Sequence, residues 1–301
     1  MECFSSKVLL FGEYSVIQES NALAMPYHLF EGSLSFSKKK LSSRDSELDA
    51  LVRYLKKLED RSELNFDFDV SSFSFDVGQG LFFDSTIPQG YGVGSSGALV
   101  AALYHRYCEK RENFNGDIGE LKNRLAILES HFHGASSGFD PLVSYLNQSI
   151  FNHKDRGICP IVLKEDETSK GGLFLLNTGR SRKTEPLVNL FLEKCKSEDF
   201  SKLCEEELVP ITNNCIDFFM KGNTVDLWDS FYALSQFQFE HFKPMIPKLY
   251  QDLWEQGLEN KNFLLKICGA GGGGFLMGHT KDFKSLTREL NSFELRHLFK
   301  I

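Results

Sequence analysis

Residues 88–98 read PQGYGVGSSGA, with glycine at positions 90, 92, 94 and 97, and the helix-forming stretch 99–107 follows directly. Such a run removes side chains from a loop at a helix N-terminus. Several backbone N–H groups and the positive end of the helix can then face one anion. A nucleotide phosphate is the simplest such anion, which makes Pro88, Gly90, Gly92, Gly94, Ser95, Ser96 and Gly97 the candidate phosphate-binding residues. At the end of the loop, one of the hydroxyls of Ser95 and Ser96 can ligate a Mg²⁺ ion bridging phosphate oxygens, while the other can cap the helix. The run is not a P-loop: it has no GK[ST] and no lysine.

Phosphoryl transfer to an alcohol asks for more than a phosphate cradle. The hydroxyl must be aligned, a metal held, and charge on the transferring group offset. Asp140 follows a Ser-Ser-Gly-Phe turn and precedes Pro141, where a carboxylate can point from a loop into a cleft. A plain turn or cap residue is the alternative there. A second glycine cluster, Gly269–Gly274, lies between two strand-like stretches and would let backbone approach a ligand closely.

Composition narrows the classes. At 301 residues the chain can bury a sizeable core in two domains or one large one. It has no apolar run of the roughly 18 residues that a membrane span needs, and its start, MECFSSKVLLFGEY, does not read as a signal peptide. Seven cysteines without a close CxxC pair fit reduced thiols, hence a cytoplasmic setting, better than disulfides or zinc. The formal charge of −7 gives no general attraction to nucleic acid or anionic membrane. The expected partner is therefore a small molecule, with a homodimer left open.

The elements that must position these residues are read from periodicity. A short apolar strand over 7–11 runs into Gly12-Glu13-Tyr14, and a further strand is predicted over 32–37. Leu48, Leu51 and Leu55 predict a helix over 46–58. Leu121, Leu125, Leu128 and Phe132 predict another over 119–132, with Glu129 near the edge of its apolar stripe. NFDFDV (65–70) and SFSFDV (72–77), which hold several of the 28 phenylalanines, alternate as half-buried strands do. The polar segment 152–172 reads as a surface connection. After it come a strand over 173–177, helices from about 186 to 256, and strands on both sides of the second glycine cluster.

On these residues the chain resembles the GHMP kinase superfamily, and within it most closely the mevalonate kinases. Three ordered segments carry the likeness: SSKVLLFGEYSVI (5–17), PQGYGVGSSGA (88–98) and KICGAGGGGFLMG (266–278). ESHFHGASSGFDP (129–141) and NTGRSRKTEPLV (177–188) resemble further stretches of the same enzymes. The resemblance implies an α+β GHMP kinase fold, with an N-terminal ATP-binding domain like ribosomal protein S5 domain 2 over 1–165 and a C-terminal ferredoxin-like domain over 166–301. It implies ATP and Mg²⁺ as cofactors, and in-line phosphorylation of the primary hydroxyl of mevalonate for isoprenoid synthesis, without a phosphoenzyme.

By the same resemblance Asp140 is the catalytic base or orienting carboxylate, and Lys7 is the cation near the substrate hydroxyl that favours its alkoxide. Glu129, eleven residues before Asp140, shares the metal with Ser96 through hard oxygen ligands. Glu13, Tyr14, Gly271 and Gly272 fall in the substrate pocket. His133, of the family's HG pair, is a structural residue. Arg180, Arg182 and Lys183 are candidates for a cation facing a substrate carboxylate. Some spellings depart from the mevalonate kinase pattern: motif 1 opens Ser-Ser-Lys in place of Pro-Gly-Lys and ends GEY in place of GEH, and Gly97 and Cys268 stand where Ala or Ser, and Thr, are usual. GEY and YGVGSSG are closer to phosphomevalonate kinase. That enzyme, diphosphomevalonate decarboxylase and a non-catalytic regulator on the same fold are the alternative readings.

Overall fold

The computed structural model describes residues 2–37, 45–108, 117–182 and 185–301, with Asp45 and Ser46 described in backbone only. The chain divides into two compact units. The first comprises Met1–Lys7, Met25–Pro88 and Val93–Gln148; the second comprises Val8–Ala24, Gln89–Gly92 and Ser149–Ile301.

Strands β1 (Phe4–Phe11) and β2 (Ala22–Phe36) pass through both units. The first unit continues with α1 (Asp45–Asp60), α2 (Val70–Gly78), β3 (Leu81–Ser85), α3 (Ser95–Tyr107), α4 (Ile118–His133) and α5 (Phe139–Leu146). Gly32–Phe36 of β2 pair antiparallel with β3. Leu48, Leu51, Val52 and Leu55 give α1 its buried stripe. Helix α3 is built of small and apolar residues on every side, which suits a helix enclosed by others; it packs against both α4 and α5. Asp117 caps α4 by accepting from the Gly119 N–H.

The phenylalanine-rich region differs from its expected strands. Phe66, Phe68 and Val70 are buried in alternation, in an extended segment that makes a single bridge from Phe68 to Cys108. From Val70 onward the chain is helix α2, not strand. Asp69 caps it by accepting from the Ser72 N–H, and Val70 and Phe73, three residues apart, face inward while Phe75 is left exposed. The cap and the i, i+3 pair outweigh the local alternation.

The second unit adds β4 (Ser149–His153) and β5 (Gly157–Ile161), an antiparallel pair whose β5 and the end of β4 fall in the segment expected to be a plain connection; residues 162–171 do connect without regular structure. It continues with β6 (Gly172–Asn177), α6 (Glu185–Lys194), α7 (Glu198–Leu203), α8 (Val209–Lys221), α9 (Thr224–His241), α10 (Gln251–Asn260), β7 (Phe263–Ile267), β8 (Phe275–Thr280), α11 (Phe283–Glu289) and β9 (Leu295–Lys300). A π-helical turn, Cys204–Leu208, joins α7 to α8. Ala22–Ala24 of β2 pair with β4, so one five-stranded sheet runs β1-β2-β4-β5 with β3 on β2. The other sheet is antiparallel in the order β7-β8-β6-β9. Strands β7 and β8 are buried throughout, and α9 and α10 cover β7 with Leu227, Phe231 and Trp254 in the core. Among the described residues no helix is long and apolar enough to cross a membrane.

Candidate functional site

Four of the predicted residues, Lys7, Ser96, Glu129 and Asp140, converge in the first unit. Strand β1 carries Lys7, and the Lys7 backbone N–H donates to Val93 O at 3.0 Å, which fastens the strand to the glycine loop. The side chain is buried and its Nζ lies 2.8 Å from Asp140 Oδ1, whereas the Asp140 side chain is 36% exposed. Asp140 stands in the first turn of α5, behind Gly138 in the left-handed region, where the helix end favours an anion.

Two glycines make this approach possible. Gly94 has φ +75°, and a Cβ there would meet Lys7 Cγ at 2.7 Å. A Cβ on Gly97 would sit 2.9 Å from the Asp140 carbonyl carbon, so a bare α-carbon lets the first turn of α3 lie against the first turn of α5.

Beside this pair, Ser96 Oγ donates to Glu129 Oε1 at 3.1 Å and lies 3.0 Å from His133 Nε2. Ser136 Oγ donates to the other carboxylate oxygen, Oε2, at 2.5 Å. Ser136 Oγ in turn accepts from the Gly138 N–H at 2.9 Å. Glu129 is buried rather than at the helix edge. Burial first, and the Asp140 charge second, push its pKa up from 4.5 to about 7, against the pull of Ser136, Ser96 and Lys7. The expected serine cap of α3 is absent: Gly94 is the N-cap residue and no side chain bonds there. Ser96 is turned toward Glu129 instead.

The second unit gathers another set. Glu13 is buried, and Lys266 Nζ donates to its Oε1 at 2.5 Å and to Ile267 O at 2.8 Å; the two side chains are 2% and 0% exposed. The Ile267 N–H donates to Gln238 Oε1 at 2.9 Å, which anchors the same strand end. Tyr14 takes φ +62°, an uncommon backbone for a bulky residue. It is held there by its hydroxyl donating to Ala270 O at 2.7 Å and by ring contacts to Phe191 and Phe242. Burial, opposed by Arg182, raises the Tyr14 pKa.

Gly271 and Gly272 both have positive φ, and Gly272 N–H donates to Met245 O at 2.5 Å. Arg182 lies along the two glycine-rich segments: its N–H donates to Gly90 O at 3.2 Å, and its Nη2 lies 3.5 Å from Cys268 O. Its guanidinium is half-buried, and desolvation lowers its pKa. Arg180 is exposed and offers its carbonyl to the Gly274 N–H. Lys183 lies outside the described residues.

Sequence reasoning missed Lys266, Ser136 and the contact made by His133. Lys266 opens the segment KICGAGGGG, yet a lysine within a strand carries no signal of its own, and the carboxylate it meets is 253 residues away. Ser136 lies inside a quoted segment, but only the fold shows which oxygen it faces.

A divalent cation fits the first cluster by the chemistry of its donors. Ser96 and Glu129 present hard oxygens, and a carboxylate buried against a second carboxylate is relieved by positive charge. Among the described residues no group of three His, Cys, Asp or Glu side chains could hold a metal alone. The remaining ligands would be phosphate and water, as Mg²⁺ commonly takes them.

Residues 50–148 match the GHMP kinases N terminal domain. No curated protein sequence matches the chain. Solved structures match its fold throughout. L. major mevalonate kinase in complex with R-mevalonate is 16% identical with a TM-score of 0.64, over 96% of this chain and 90% of that one. Streptococcus pneumoniae phosphomevalonate kinase, in complex with phosphomevalonate and AMPPNP, is 15% identical with a TM-score of 0.65, over 98% of each chain. Lactococcus lactis galactokinase complexed with galactose is 14% identical with a TM-score of 0.66, over 99% and 92%.

Proposed function

We propose that the protein, whose residues 50–148 match the GHMP kinases N terminal domain and whose whole fold is matched by solved kinase structures, transfers the γ-phosphoryl group of ATP to the primary hydroxyl of mevalonate, giving 5-phosphomevalonate. The observation that carries this reading is the contact of Lys7 Nζ with the part-exposed Asp140 carboxylate, in the same unit as the Ser96 and Glu129 oxygens and residues 93–97 of the glycine-rich segment.

In this reading Asp140 accepts or orients the proton of the attacking hydroxyl, and Lys7 stabilises the negative charge that develops on its oxygen. Pro88, Gly90, Gly92, Gly94, Ser95, Ser96 and Gly97 belong to the phosphate-binding segment, with backbone N–H groups of the loop and of the first turn of α3 facing the phosphates. Ser96 and Glu129 hold Mg²⁺, which neutralises charge on the phosphate oxygens when bound. Tyr14, Gly271 and Gly272 form the acceptor side, and Glu13, sealed against Lys266, supports that side without touching substrate. Arg182 supplies the cation for the substrate carboxylate. Solution in the cytoplasm is the proposed setting.

Phosphomevalonate as acceptor is the second reading. It is favoured by the GEY and YGVGSSG spellings and by the presence of Arg180 and Arg182 on one short segment, since a phosphorylated substrate asks for charge-assisted donors. ADP release with ATP, Mg²⁺ and, in parallel, mevalonate, phosphomevalonate, diphosphomevalonate, galactose and homoserine separates the two. Turnover with mevalonate alone supports the first reading and turnover with phosphomevalonate alone the second. Silence with all five, in a protein that still binds ATP, would favour a regulatory role.

A further inference from the structure

The hydroxyl of Ser96 has one hydrogen and two neighbours, Glu129 Oε1 at 3.1 Å and His133 Nε2 at 3.0 Å. The surrounding contacts decide where that hydrogen goes. Ser136 Oγ accepts from the Gly138 N–H, so its own hydrogen is directed to Glu129 Oε2. Glu129 thus accepts at Oε2, and in its ionised form Oε1 is a second acceptor within reach of Ser96. Ser96 then donates to Oε1. With its only hydrogen committed, Ser96 can meet His133 Nε2 in one way: as acceptor of an Nε2–H.

We propose that His133 is a positioning residue for Ser96, donating Nε2–H to Oγ so that the serine hydrogen is held on Glu129 and one serine lone pair remains for a divalent cation. This rests on the kinase reading above, in which Ser96 is a metal ligand. His133 ends α4, next to Gly134 at its C-cap, and Ser96 lies in the first turn of α3. The bond therefore joins the end of one helix to the start of another within the first unit. Without it, the serine hydroxyl can rotate away from the geometry the cation requires. Partners of metal ligands that act through such bonds commonly change metal affinity by about 10–100-fold when removed.

The first test is a tautomer measurement on the metal-free protein by long-range ¹H–¹⁵N NMR, at a pH above that at which Glu129 holds a proton. The His133 signals are identified by their loss in His133→Gln. An Nε2–H, Nδ1-unprotonated ring is the expected result; an Nδ1–H ring, which would accept from Ser96, overturns the proposal. The second test is binding of Mn²⁺ with AMPPNP, read by electron paramagnetic resonance without turnover. His133→Phe should weaken Mn²⁺ binding by about tenfold or more, while His133→Gln, which keeps an N–H donor at similar reach, should stay within about threefold of the wild type. Both variants should match the wild-type circular dichroism spectrum, since the residue is solvent-accessible. Wild-type binding unchanged in His133→Phe overturns the positioning role alone. Failure of the wild type to bind Mn²⁺–AMPPNP overturns that role and the kinase reading together.

Discussion

Two lysine–carboxylate pairs among the described residues have a buried lysine, and they differ in the exposure of the carboxylate. Lys7–Asp140 in the first unit leaves its carboxylate 36% exposed, while Lys266–Glu13 in the second is 0% and 2% exposed. A carboxylate that still meets solvent can meet a substrate hydroxyl, and the strength of its interactions can change during a reaction. A sealed pair cannot exchange partners without unfolding its surroundings, and its charges are tolerable because each has the other and Lys266 also donates to Ile267 O. On the proposed reading, the same chemical pair serves reaction in one place and architecture in the other, and exposure distinguishes them.

Removing Asp140 gives the largest expected effect. Asp140→Asn should lower kcat by about 10²–10⁴-fold, the usual contribution of a general base, with ATP affinity little changed and the fold retained. Next comes the sealed pair. Lys266→Met strands the Glu13 carboxylate and should cost about 3–5 kcal/mol of stability in denaturant titration. The double variant Lys266→Met/Glu13→Leu should recover much of that loss, because an apolar pair of similar volume replaces both charges. An inactive but fully stable Lys266→Met would reverse the contrast between the two pairs.

A smaller effect is expected at Glu129. Glu129→Gln should raise the Mg²⁺ concentration needed for half-maximal turnover by about tenfold or more. Its pH behaviour has a definite sign. Burial raises the folded pKa from 4.5 to about 7, so the group's favourable contribution is present at low pH and lost as pH rises through that window. Without divalent cations, the wild type should lose thermal stability relative to Glu129→Gln between these values, and added Mg²⁺ should close the gap.

His279, in the second unit, behaves oppositely. It is buried against Trp228 and Phe231, its Nδ1 has no hydrogen-bond partner among the described residues, and burial lowers its pKa from 6.5 to about 3. The folded protein keeps it neutral while the unfolded chain protonates it. Stability should therefore fall as pH drops from 6.5 toward 3, and a thermal melt series should show that fall blunted in His279→Leu.

Much of the first cluster was legible because the pattern a phosphate site asks for is local in sequence. Glycines at alternate positions, two serines and a helix-forming run are local signals, and Asp140 follows a turn that can be read directly. Lys7, Glu129 and the acceptor-side residues rested on the ordered motifs. The contacts that decide how these residues behave are not local. Ser96 faces a residue 33 positions on, and Lys266 one that lies 253 positions back. Packing, not periodicity, also sank Glu129 into the protein. In α2 the signal was present but competed with another: the Asp69 cap and the Val70–Phe73 spacing mark a helix, while alternating phenylalanines mark a strand, and the helix fits the burial of Phe73 with Phe75 outside.

The contrast between the exposed and the sealed pair is tested most directly by the rate of ADP release with ATP, Mg²⁺ and mevalonate in the wild type and in Asp140→Asn, with folding of both checked by circular dichroism. Turnover in the wild type that falls by about 10²–10⁴-fold in a folded variant is the predicted result. Undiminished turnover in Asp140→Asn would contradict the assignment of chemistry to the exposed pair.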